Sequence, residues 1–496
     1  MSGLPGVAAR LFSALAARDI SVILITQASS ECTITLCVQQ ADAAPASLAI
    51  EAAFDVEIAA GRVDTVQQWT DCAVLSIVGE GMRQRAGVAG TFLMALADIG
   101  CSVAAIAQGS SERSISTVIA ARDAHRALCH VHHGFFATRE VVALYLCRTG
   151  TVGSQFLRQL AHQQAQLPET PLELRLCGVM TSRAMLLNDQ GIDPSTALEL
   201  LAKATAAADL EGLYRHLRTT HPDQPVLVDC TSSPQLGLND PQLLAAGLHL
   251  VTASKHANSA SLQHYHAMRR TAARHCRQFR YETNVGGGLP VIATLQALRD
   301  GGDRVVAFSG ILSGSQSFLM GLLEDGVAFS QAVRMAKAKG VTEPDPRDEL
   351  SGTDVARKVL ILPRESGCEL ELADVQVTGL LPPEFDSTGS VAALMDRLEA
   401  ADGYFADLVA QAKRDGQVLR YLGEFDAAGC RVGLRSVAAS DALAPVRAGE
   451  NAFSFLTVHY HPQPLVVRGY GAGAAVTAAG VLADVLTIAR GAGRRG

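Results

Sequence analysis

The chain has 496 residues, of which 48% are hydrophobic and 18% charged, a composition typical of a globular protein with about three domains. Its formal net charge of −7 argues against nucleic-acid binding, because no basic stripe is available to neutralise phosphates. The 11 cysteines form no CxxC pair, the N-terminus lacks a signal-peptide pattern, and no apolar run approaches the roughly 20 residues of a membrane span. These features predict a cytoplasmic protein with reduced thiols and no membrane segment.

The first third of the chain contains an internal repeat with an offset of 81 residues. Residues 21–38 and 102–120 each follow an apolar-periodic helix, so each unit is predicted to be a helix, a strand, a short polar connection and a strand. A further strand, AVLSIVGEGM, precedes the second unit's helix and ends at Met82. Met1 is the equivalent position in the first unit, so the first unit begins where its own opening strand should already have ended. Either another chain supplies this strand, or Met1 is an internal start within a longer protein, which is the alternative we favour.

From Glu140 the pattern changes to alternating strands and helices, EVVALYLC, RTGTVGSQFLRQLAHQQ and LELRLCGVM. This predicts a Rossmann-type βαβ unit whose glycine turn binds a dinucleotide pyrophosphate. Gly150 and Gly153 fit the fingerprint, but Arg148 stands where its first glycine is expected and can instead reach a phosphate. Arg183 follows the second strand, where no acid is available for a ribose hydroxyl, which favours NADP over NAD. Close packing of the strand on the helix is the alternative explanation of the glycines.

Polar clusters follow two later predicted strands. VLVDCTSS ends at residues 229–233, and LHLVTASKHANS ends at Ser254, Lys255 and His256. Since ligands of open α/β sheets bind beyond the carboxyl ends of the strands, Lys255 is a candidate site residue.

The segment 342–358, TEPDPRDELSGTDVARK, combines acidic side chains with the start of a predicted helix. Ser351 and Asp354 have the spacing of a capping box, which predicts a helix that begins at Ser351 and has Asp354 in its first turn. On such a helix Asp354 and Lys358 share one face. A solvated loop followed by an ordinary ion pair is the alternative.

Together with YETNVGGGLP (281–290), FSGILSGS (308–315) and RGYGAG (468–473), these segments resemble homoserine dehydrogenase over nearly the whole chain. The form most resembled is the one fused behind aspartokinase in bifunctional threonine-pathway enzymes. The resemblance implies an α/β chain in four parts. These are two ACT-like ferredoxin-type α+β units at 1–70 (N-terminally truncated) and 71–135, a Rossmann-like nucleotide-binding domain at 139–283 onto which a helix within 468–492 packs back, and an α+β substrate-binding and dimerisation domain at 284–467.

The resemblance further implies the activity and the roles of individual residues. The expected reaction is the reversible NADP(H)-dependent reduction of L-aspartate 4-semialdehyde to L-homoserine, for threonine, methionine and isoleucine biosynthesis, by a homo-dimer or homo-tetramer. By position in the family motifs, Lys358 is the proton donor and Lys255 stands across the site. Substrate contacts are expected from Glu343, Asp354 and Glu349, the last of which replaces an Asp. The expected cofactor-binding residues are Arg148, Gly150, Gly153, Arg183, Thr231, Lys255, Gly340 and Gly473.

Two further ligand sites are implied by the resemblance. A monovalent cation such as sodium is expected on the backbone carbonyls of Glu282, Val285, Gly287 and Leu289, although a glycine-rich hinge explains the same sequence. An amino-acid effector, usually threonine, is expected at the two QxSSE loops that begin at Gln27 and Gln108, although these residues also suit simple turns.

Two other interpretations of the whole chain remain open. Arg148 and Glu349, the departures from the family pattern, motivate an amino-acid-sensing scaffold with impaired catalysis. The chain is also interpretable as a fragment of a bifunctional aspartokinase/homoserine dehydrogenase.

Overall fold

The structure is a computed structural model, and it describes residues 6–27, 33–109, 113–136, 140–166, 172–222, 224–231, 233–340 and 345–492. The chain forms two compact units, residues 1–138 and residues 139–495. Both predicted ACT-like repeats therefore belong to one unit, and the predicted nucleotide and substrate domains belong to the other.

The first unit alternates helices with short strands. Its elements are α1 (Val7–Ala16), β1 (Val22–Gln27), β2 (Ile34–Val38), α2 (Ala43–Ala53), α3 (Asp55–Ala59), β3 (Cys72–Val78), α4 (Val88–Asp98), β4 (Val103–Gln108), β5 (Ser114–Ala120) and α5 (Ala124–Phe136).

The predicted repeat is confirmed by the positions of these elements. Helices α1 and α4 begin at residues 7 and 88, and strands β1 and β4 begin at residues 22 and 103, so the offset of the sequence is also the offset of the structure. Strands β1 and β2 pair antiparallel, and β3, β5 and β4 form an antiparallel sheet in that order. The strand predicted to run to Met82 ends at Val78, because a 3₁₀ turn begins at Glu80.

The second unit begins with β6. Its nucleotide-side elements are β6 (Glu140–Cys147), α6 (Thr151–Gln166), β7 (Leu172–Met180), β8 (Met185–Leu187), α7 (Ala197–Lys203), α8 (Leu210–Thr220), β9 (Gln224–Asp229), α9 (Pro234–Ala245), β10 (His249–Thr252), α10 (His256–Ser259), α11 (Leu262–Arg274) and β11 (Phe279–Arg280). The remaining elements are α12 (Val291–Asp300), β12 (Val305–Ile311), α13 (Gly314–Glu324), α14 (Phe329–Ala338), α15 (Arg347–Leu350), α16 (Thr353–Glu365), β13 (Val375–Val377), α17 (Val391–Arg397), α18 (Asp402–Arg414), β14 (Gln417–Asp426), β15 (Gly429–Ala438), β16 (Glu450–Thr457), β17 (Leu465–Tyr470) and α19 (Ala474–Ala492).

The nucleotide side is a six-stranded sheet in the order β11-β10-β9-β6-β7-β8, parallel except at β8. Strand β6 is buried from Val142 to Cys147, as expected for a parallel strand covered by helices on both faces. The register aligns Cys147 with Met180 and with Asp229, and Asp229 with Thr252. The carboxyl ends of four strands therefore meet in one row.

A second six-stranded sheet, in the order β13-β15-β14-β12-β16-β17, forms the other half of the unit. Its neighbours are antiparallel except for the parallel pair β13 and β15. Helix α16 packs on this sheet with Val355, Val359 and Leu362 fully or almost fully buried, which is the apolar face expected from their helical spacing.

Helix α19 contradicts the prediction that no apolar run approaches the length of a membrane span. Among the described residues, the window Ala474–Gly491 is long and apolar enough to cross a membrane by length and composition, although the sequence analysis predicted no such run. Its residues Ala478, Val481, Val485 and Ile488 are fully buried in the core of the parallel sheet. The core helix of a globular domain passes the same test of length and composition.

Candidate active site

The first turn of α16 presents the predicted acid and lysine at the boundary between the two sheets. The helix begins at Thr353, not at Ser351, and its N-cap is Gly352 in the left-handed conformation with φ of 76°. A Cβ at position 352 would overlap the Tyr421 hydroxyl, so the buried tyrosine and the backbone geometry both require glycine there. The capping box predicted from Ser351 is therefore replaced by a glycine cap, while Asp354 does lie in the first turn.

Three charged side chains meet at this position. The ammonium of Lys358 lies 2.9 Å from Oδ2 of Asp354, and the ammonium of Lys255 lies 3.2 Å from Oδ1 of the same carboxylate. Lys255 comes from the segment that follows β10, so the contact joins the nucleotide side to the substrate side. The Asp354 side chain remains 46% exposed, which leaves the group open to a ligand.

The two lysines and the carboxylate perturb one another. Although burial opposes ionisation of Asp354, the charges of Lys358 and Lys255 hold the pKa of this carboxyl well below its usual range. Burial lowers the pKa of Lys255, and the charge of Lys358 lowers it further, while Asp354 raises it. Lys255 is therefore a lysine that releases its proton more readily than an exposed one, next to a carboxylate that stays ionised.

A backbone carbonyl fixes Lys358 from the other side. Its Nζ donates to the carbonyl oxygen of Leu312 at 2.8 Å. The side-chain amide of Asn451 also approaches this oxygen, at 3.4 Å. Asn451 packs against the loop before α19, since a Cβ at Gly471 would overlap its side chain. Lys358 is therefore held at the junction of α16, the end of β12 and the loop that leads into α19.

The other predicted substrate residues occupy different positions. The Glu349 carboxylate accepts a hydrogen bond of 2.5 Å from Ser315 Oγ, and its carbonyl accepts one of 2.8 Å from the Gln316 side chain. Ser315, the last residue of the FSGILSGS segment, and Gln316 therefore orient Glu349 from the first turn of α13. Glu343 lies outside the described residues.

The predicted glycine turn connects β6 to α6. Arg148 adopts φ of 71°, a left-handed conformation that favours glycine. A Cβ at Gly153 would overlap the Arg148 carbonyl oxygen, and one at Gly150 would come within 3.6 Å of Arg148 Nε. Arg148 thus has the backbone conformation of the missing first glycine, and its side chain passes near Gly150. The turn therefore keeps a left-handed residue before the N-terminus of α6 although the first glycine is replaced.

Arg183 and Thr231 follow the neighbouring strands. Arg183 is exposed in the turn between β7 and β8, where its amide donates to the Thr181 hydroxyl at 3.2 Å. The Thr231 amide donates to the buried Asp229 carboxylate at 2.7 Å, just beyond β9. Arg148, Arg183, Thr231 and Lys255 therefore all follow the row in which the parallel strands end.

Gly340 and Gly473 both have positive φ, 66° and 119°. Gly340 ends α14, where its amide bonds to the Lys337 carbonyl at 3.0 Å, so helix termination alone accounts for this glycine. Gly473 precedes α19, and its carbonyl accepts the Thr477 amide at 3.0 Å. Their contact with a cofactor stays a prediction.

The glycine-rich loop 286–288 packs tightly against the loop before α19 and against the first turn of α19. A Cβ at Gly287 would overlap the carbonyl of Gly471, and one at Gly288 would overlap the carbonyl of Val476. This close approach explains the glycines without a ligand.

The cation predicted on the carbonyls of Glu282, Val285, Gly287 and Leu289 stays a prediction. The carbonyl of Glu282 accepts the Val285 amide at 3.4 Å, and that of Leu289 accepts the Val291 amide at 2.8 Å. A carbonyl oxygen has a second lone pair for a cation. Among the described residues, no group of three or more His, Cys, Asp or Glu side chains is placed to hold a metal ion, so a cation here would depend on backbone oxygens.

Gln27 and Gln108 occupy equivalent places in the first unit, as the last residues of β1 and β4. Both side chains are exposed. The Ser-Ser-Glu parts of the two predicted effector loops lie outside the described residues.

Sequence reasoning missed the groups that contact Lys358 and the segment that follows Lys255. The Leu312 carbonyl belongs to the backbone, so its contact with Lys358 does not depend on residue type and gives no signal in the sequence. Asn451 and Arg364 are buried polar residues in segments where the sequence suggested no catalytic role. A polar residue inside an otherwise apolar stretch, such as Arg364 after VLILP, was the available signal.

The parallel sheet with its glycine turn, together with the group formed by Lys255, Asp354 and Lys358, defines a class: dinucleotide-dependent α/β oxidoreductases with a second domain that completes the active site. Family models agree with this. Residues 290–486 match the model "Homoserine dehydrogenase", residues 149–282 match "Homoserine dehydrogenase, NAD binding domain", and residues 1–54 and 75–135 match "ACT domain".

The chain is also similar to bifunctional aspartokinase/homoserine dehydrogenases and to a protein of known structure. The chain is 43% identical over 486 residues to the bifunctional aspartokinase/homoserine dehydrogenase of Haemophilus influenzae, covering 98% of this chain and 60% of that protein. It is 39% identical to a chloroplastic bifunctional aspartokinase/homoserine dehydrogenase of Zea mays, covering 99% and 54%. A crystal structure of a Candida auris protein of unknown function is 32% identical with a TM-score of 0.66, covering 71% of this chain and 98% of that one.

The chain belongs to the homoserine dehydrogenase family. It spans 54–60% of the length of the two bifunctional relatives.

Proposed function

We propose that residues 140–492 catalyse the reversible reduction of L-aspartate 4-semialdehyde to L-homoserine with NADP(H). The observation that carries the proposal is the contact of two ammonium groups, from Lys255 and Lys358, with the single carboxylate of Asp354, at distances of 3.2 and 2.9 Å. It lies where the carboxyl ends of parallel strands meet a second domain. The proposal does not depend on an aspartokinase segment in the same polypeptide.

The residues around the glycine turn fit a dinucleotide. Arg148 adopts the conformation of the fingerprint's first glycine, and a Cβ at Gly153 would fill the space that the turn requires. The amides at the N-terminus of α6, with Gly150 and Arg148, would hold the pyrophosphate, and the exposed Arg183 would accept a 2′-phosphate. When bound, the nicotinamide supplies or accepts the hydride.

The protein's own groups provide the acid and base chemistry. An ammonium has three N–H donors, and Lys358 directs one to Asp354 and one to the Leu312 carbonyl. The third is available for the substrate oxygen, to which Lys358 donates a proton during reduction and from which it removes one during oxidation. Asp354 keeps both ammonium groups in place and, being half exposed, presents a carboxylate to the substrate ammonium.

The experiment that tests the function follows absorbance of the reduced nicotinamide. Purified protein is mixed with L-homoserine and either NADP or NAD, and folding is verified by circular dichroism. Turnover supports the proposal. Folded protein without turnover with either cofactor would refute it and support the alternative of an amino-acid-sensing scaffold.

Replacing Arg183 by alanine is expected to change cofactor preference. The guanidinium would form a charge-assisted contact with the 2′-phosphate, worth about 1.5–3 kcal/mol, so kcat/KM for NADP should fall about 10- to 100-fold. The value for NAD, which lacks this phosphate, should stay within about twofold. Steady-state kinetics with both cofactors measures the ratio.

The matched control for Arg183 is Arg158, an exposed arginine on α6 that faces away from the parallel sheet. Alanine at position 158 should leave both cofactors unaffected. An equal loss for NADP and NAD in the Arg183 variant would contradict the assignment to the 2′-phosphate.

We also propose that the ACT repeats bind an amino-acid effector at the positions of Gln27 and Gln108. Support comes from the ACT family match and from the equivalent placement of the two glutamines at the ends of β1 and β4. Threonine, titrated from micromolar to millimolar concentration, is expected to change the rate in the wild type and to have a weaker effect after Gln108→Ala. A rate that does not respond to threonine would refute this effector.

A further inference from the structure

Helix α16 contacts the segment 255–262 at both of its ends. Asp354, in the first turn, binds the ammonium of Lys255 at 3.2 Å. Arg364, in the last turn, binds the carbonyls of Asn258 and Ala260 at 2.9 and 2.8 Å. Ten residues separate Asp354 from Arg364 along the helix, which corresponds to about 15 Å. Helix α16 therefore holds the segment that carries Lys255 through two side chains that lie far apart along the helix.

Arg364 makes these contacts from a fully buried position. Its side chain is 0% exposed, and its Nε donates to the Leu370 carbonyl at 2.8 Å while Nη2 lies 3.2 Å from Glu371. The carboxylate of Glu371 also accepts the Leu262 amide at 2.7 Å. The arginine and its carboxylate partner together hold both sides of the turn between α10 and α11.

The turn transmits this constraint to Lys255. The Lys255 carbonyl accepts hydrogen bonds of 2.9 Å from both the amide and the hydroxyl of Ser259. Asn258, which is fully buried, donates to the side chain of Asn284 at 2.9 Å. Lys255 is consequently the first residue of a closed turn, so a shift of residues 258–260 moves the base of the lysine side chain.

We propose that Arg364 is a positioning residue for the dehydrogenase reaction: it holds the 255–260 turn on α16 and thereby sets the place of the Lys255 ammonium relative to Asp354 and Lys358. This inference rests on the proposed function. Arg364 uses three separate nitrogens: Nη1 donates to the carbonyls of Asn258 and Ala260, Nε to the carbonyl of Leu370, and Nη2 contacts the Glu371 carboxylate. A lysine provides a single donor centre and cannot make all of these contacts. Arg364→Lys therefore keeps the charge but loosens the turn.

A double-mutant cycle between Arg364 and Lys255 tests the proposal. Displacing a site group by about 1 Å costs about 100-fold in rate, so Arg364→Lys is expected to lower kcat for L-homoserine oxidation by roughly 10- to 100-fold. In the Lys255→Ala background, the same substitution should lower kcat by less than about threefold, because the group that Arg364 positions is absent. Equal factors in the two backgrounds would show a purely structural role and overturn the proposal.

Arg420 provides the matched control. It is also a buried arginine, 1% exposed, and it binds the Leu419 carbonyl at 2.7 Å and Glu324 at 2.9 Å, away from the 255–260 turn. Arg420→Lys should lower the unfolding temperature without changing kcat beyond about twofold. A kcat loss equal to that of Arg364→Lys would overturn the specific role of Arg364.

Glu371→Gln serves as a second variant if Arg364→Lys does not fold, because Glu371 is 45% exposed. It removes the charge that holds Arg364 and should reproduce the non-additivity with Lys255→Ala at a smaller loss, about 3- to 10-fold. Additive losses would overturn the proposal. A folded wild type without turnover would refute the dehydrogenase function and this inference together, whereas an active wild type with additive variants would refute this inference alone.

Discussion

Replacing Lys358 by alanine is expected to lower kcat for L-homoserine oxidation by about 100- to 10,000-fold, the range found when a general acid or base is removed. The nicotinamide cofactor should bind with unchanged affinity, because Lys358 contacts Asp354 and the Leu312 carbonyl rather than the glycine turn. Stopped-flow or steady-state absorbance of the reduced nicotinamide gives kcat, and the change in fluorescence of NADPH on binding gives the dissociation constant of the cofactor.

Lys413, an exposed lysine in the last turn of α18, is the matched control for Lys358, and its replacement by alanine should leave kcat unchanged. The comparison with Lys255→Ala decides which lysine transfers the proton. If the Lys255 variant lost more kcat than the Lys358 variant, the proton donor would be Lys255, the lysine whose pKa burial lowers. Residual activity near the wild-type level after Lys358→Ala would contradict the mechanism.

Replacing Asp354 by asparagine is expected to reduce kcat/KM for the reduction of L-aspartate 4-semialdehyde about 100-fold and to move the alkaline limb of its pH profile to lower pH. A charged hydrogen bond is worth about 1.5–3 kcal/mol, and the loss of this carboxylate leaves two ammonium groups next to each other. In the wild type, Asp354 raises the pKa of Lys255 against the effects of burial and of Lys358. Without the carboxylate that pKa falls further.

The direction of the pH effect follows from the protonated form of Lys255. A function that needs the ammonium is present below the pKa and is lost as pH rises through it, so a lower pKa shifts the loss to lower pH. The pH dependence of kcat/KM reports groups of the free enzyme. Asp407→Asn, an exposed substitution on α18, should leave the profile unchanged. A limb displaced toward higher pH in the Asp354 variant would refute this account.

Local periodicity was sufficient to predict much of the second unit. The βαβ opening, the helix with Asp354 and Lys358 on one face and the polar clusters that follow β9 and β10 all follow from patterns that span fewer than about 20 residues. The internal repeat likewise predicted the positions of α1, β1, α4 and β4.

Features that depend on distant residues were beyond such reasoning. Helix α16 begins after Gly352 instead of at Ser351, and glycine is required at this cap because Tyr421, on β14, occupies the space beside the backbone. The contact of Lys255 with Asp354 joins two segments that are remote in sequence, and Arg364 binds one carbonyl on α10 and one just after it. The apolar window of α19 was also missed, since its alanines and glycines dilute the larger apolar residues while keeping a mean hydropathy of 1.4.

The position of α19 in the chain determines when the nucleotide domain can finish folding during translation. It completes the core of the parallel sheet and bonds to α6 through the Gln159 side chain and the Ala475 carbonyl, two residues that are 316 positions apart. At a translation rate of about 5–20 residues per second, roughly 15–60 s pass between the synthesis of these two helices. During that interval the nascent nucleotide domain exposes the apolar surface that α19 later covers, so its folding is completed after most of the substrate domain has been synthesised.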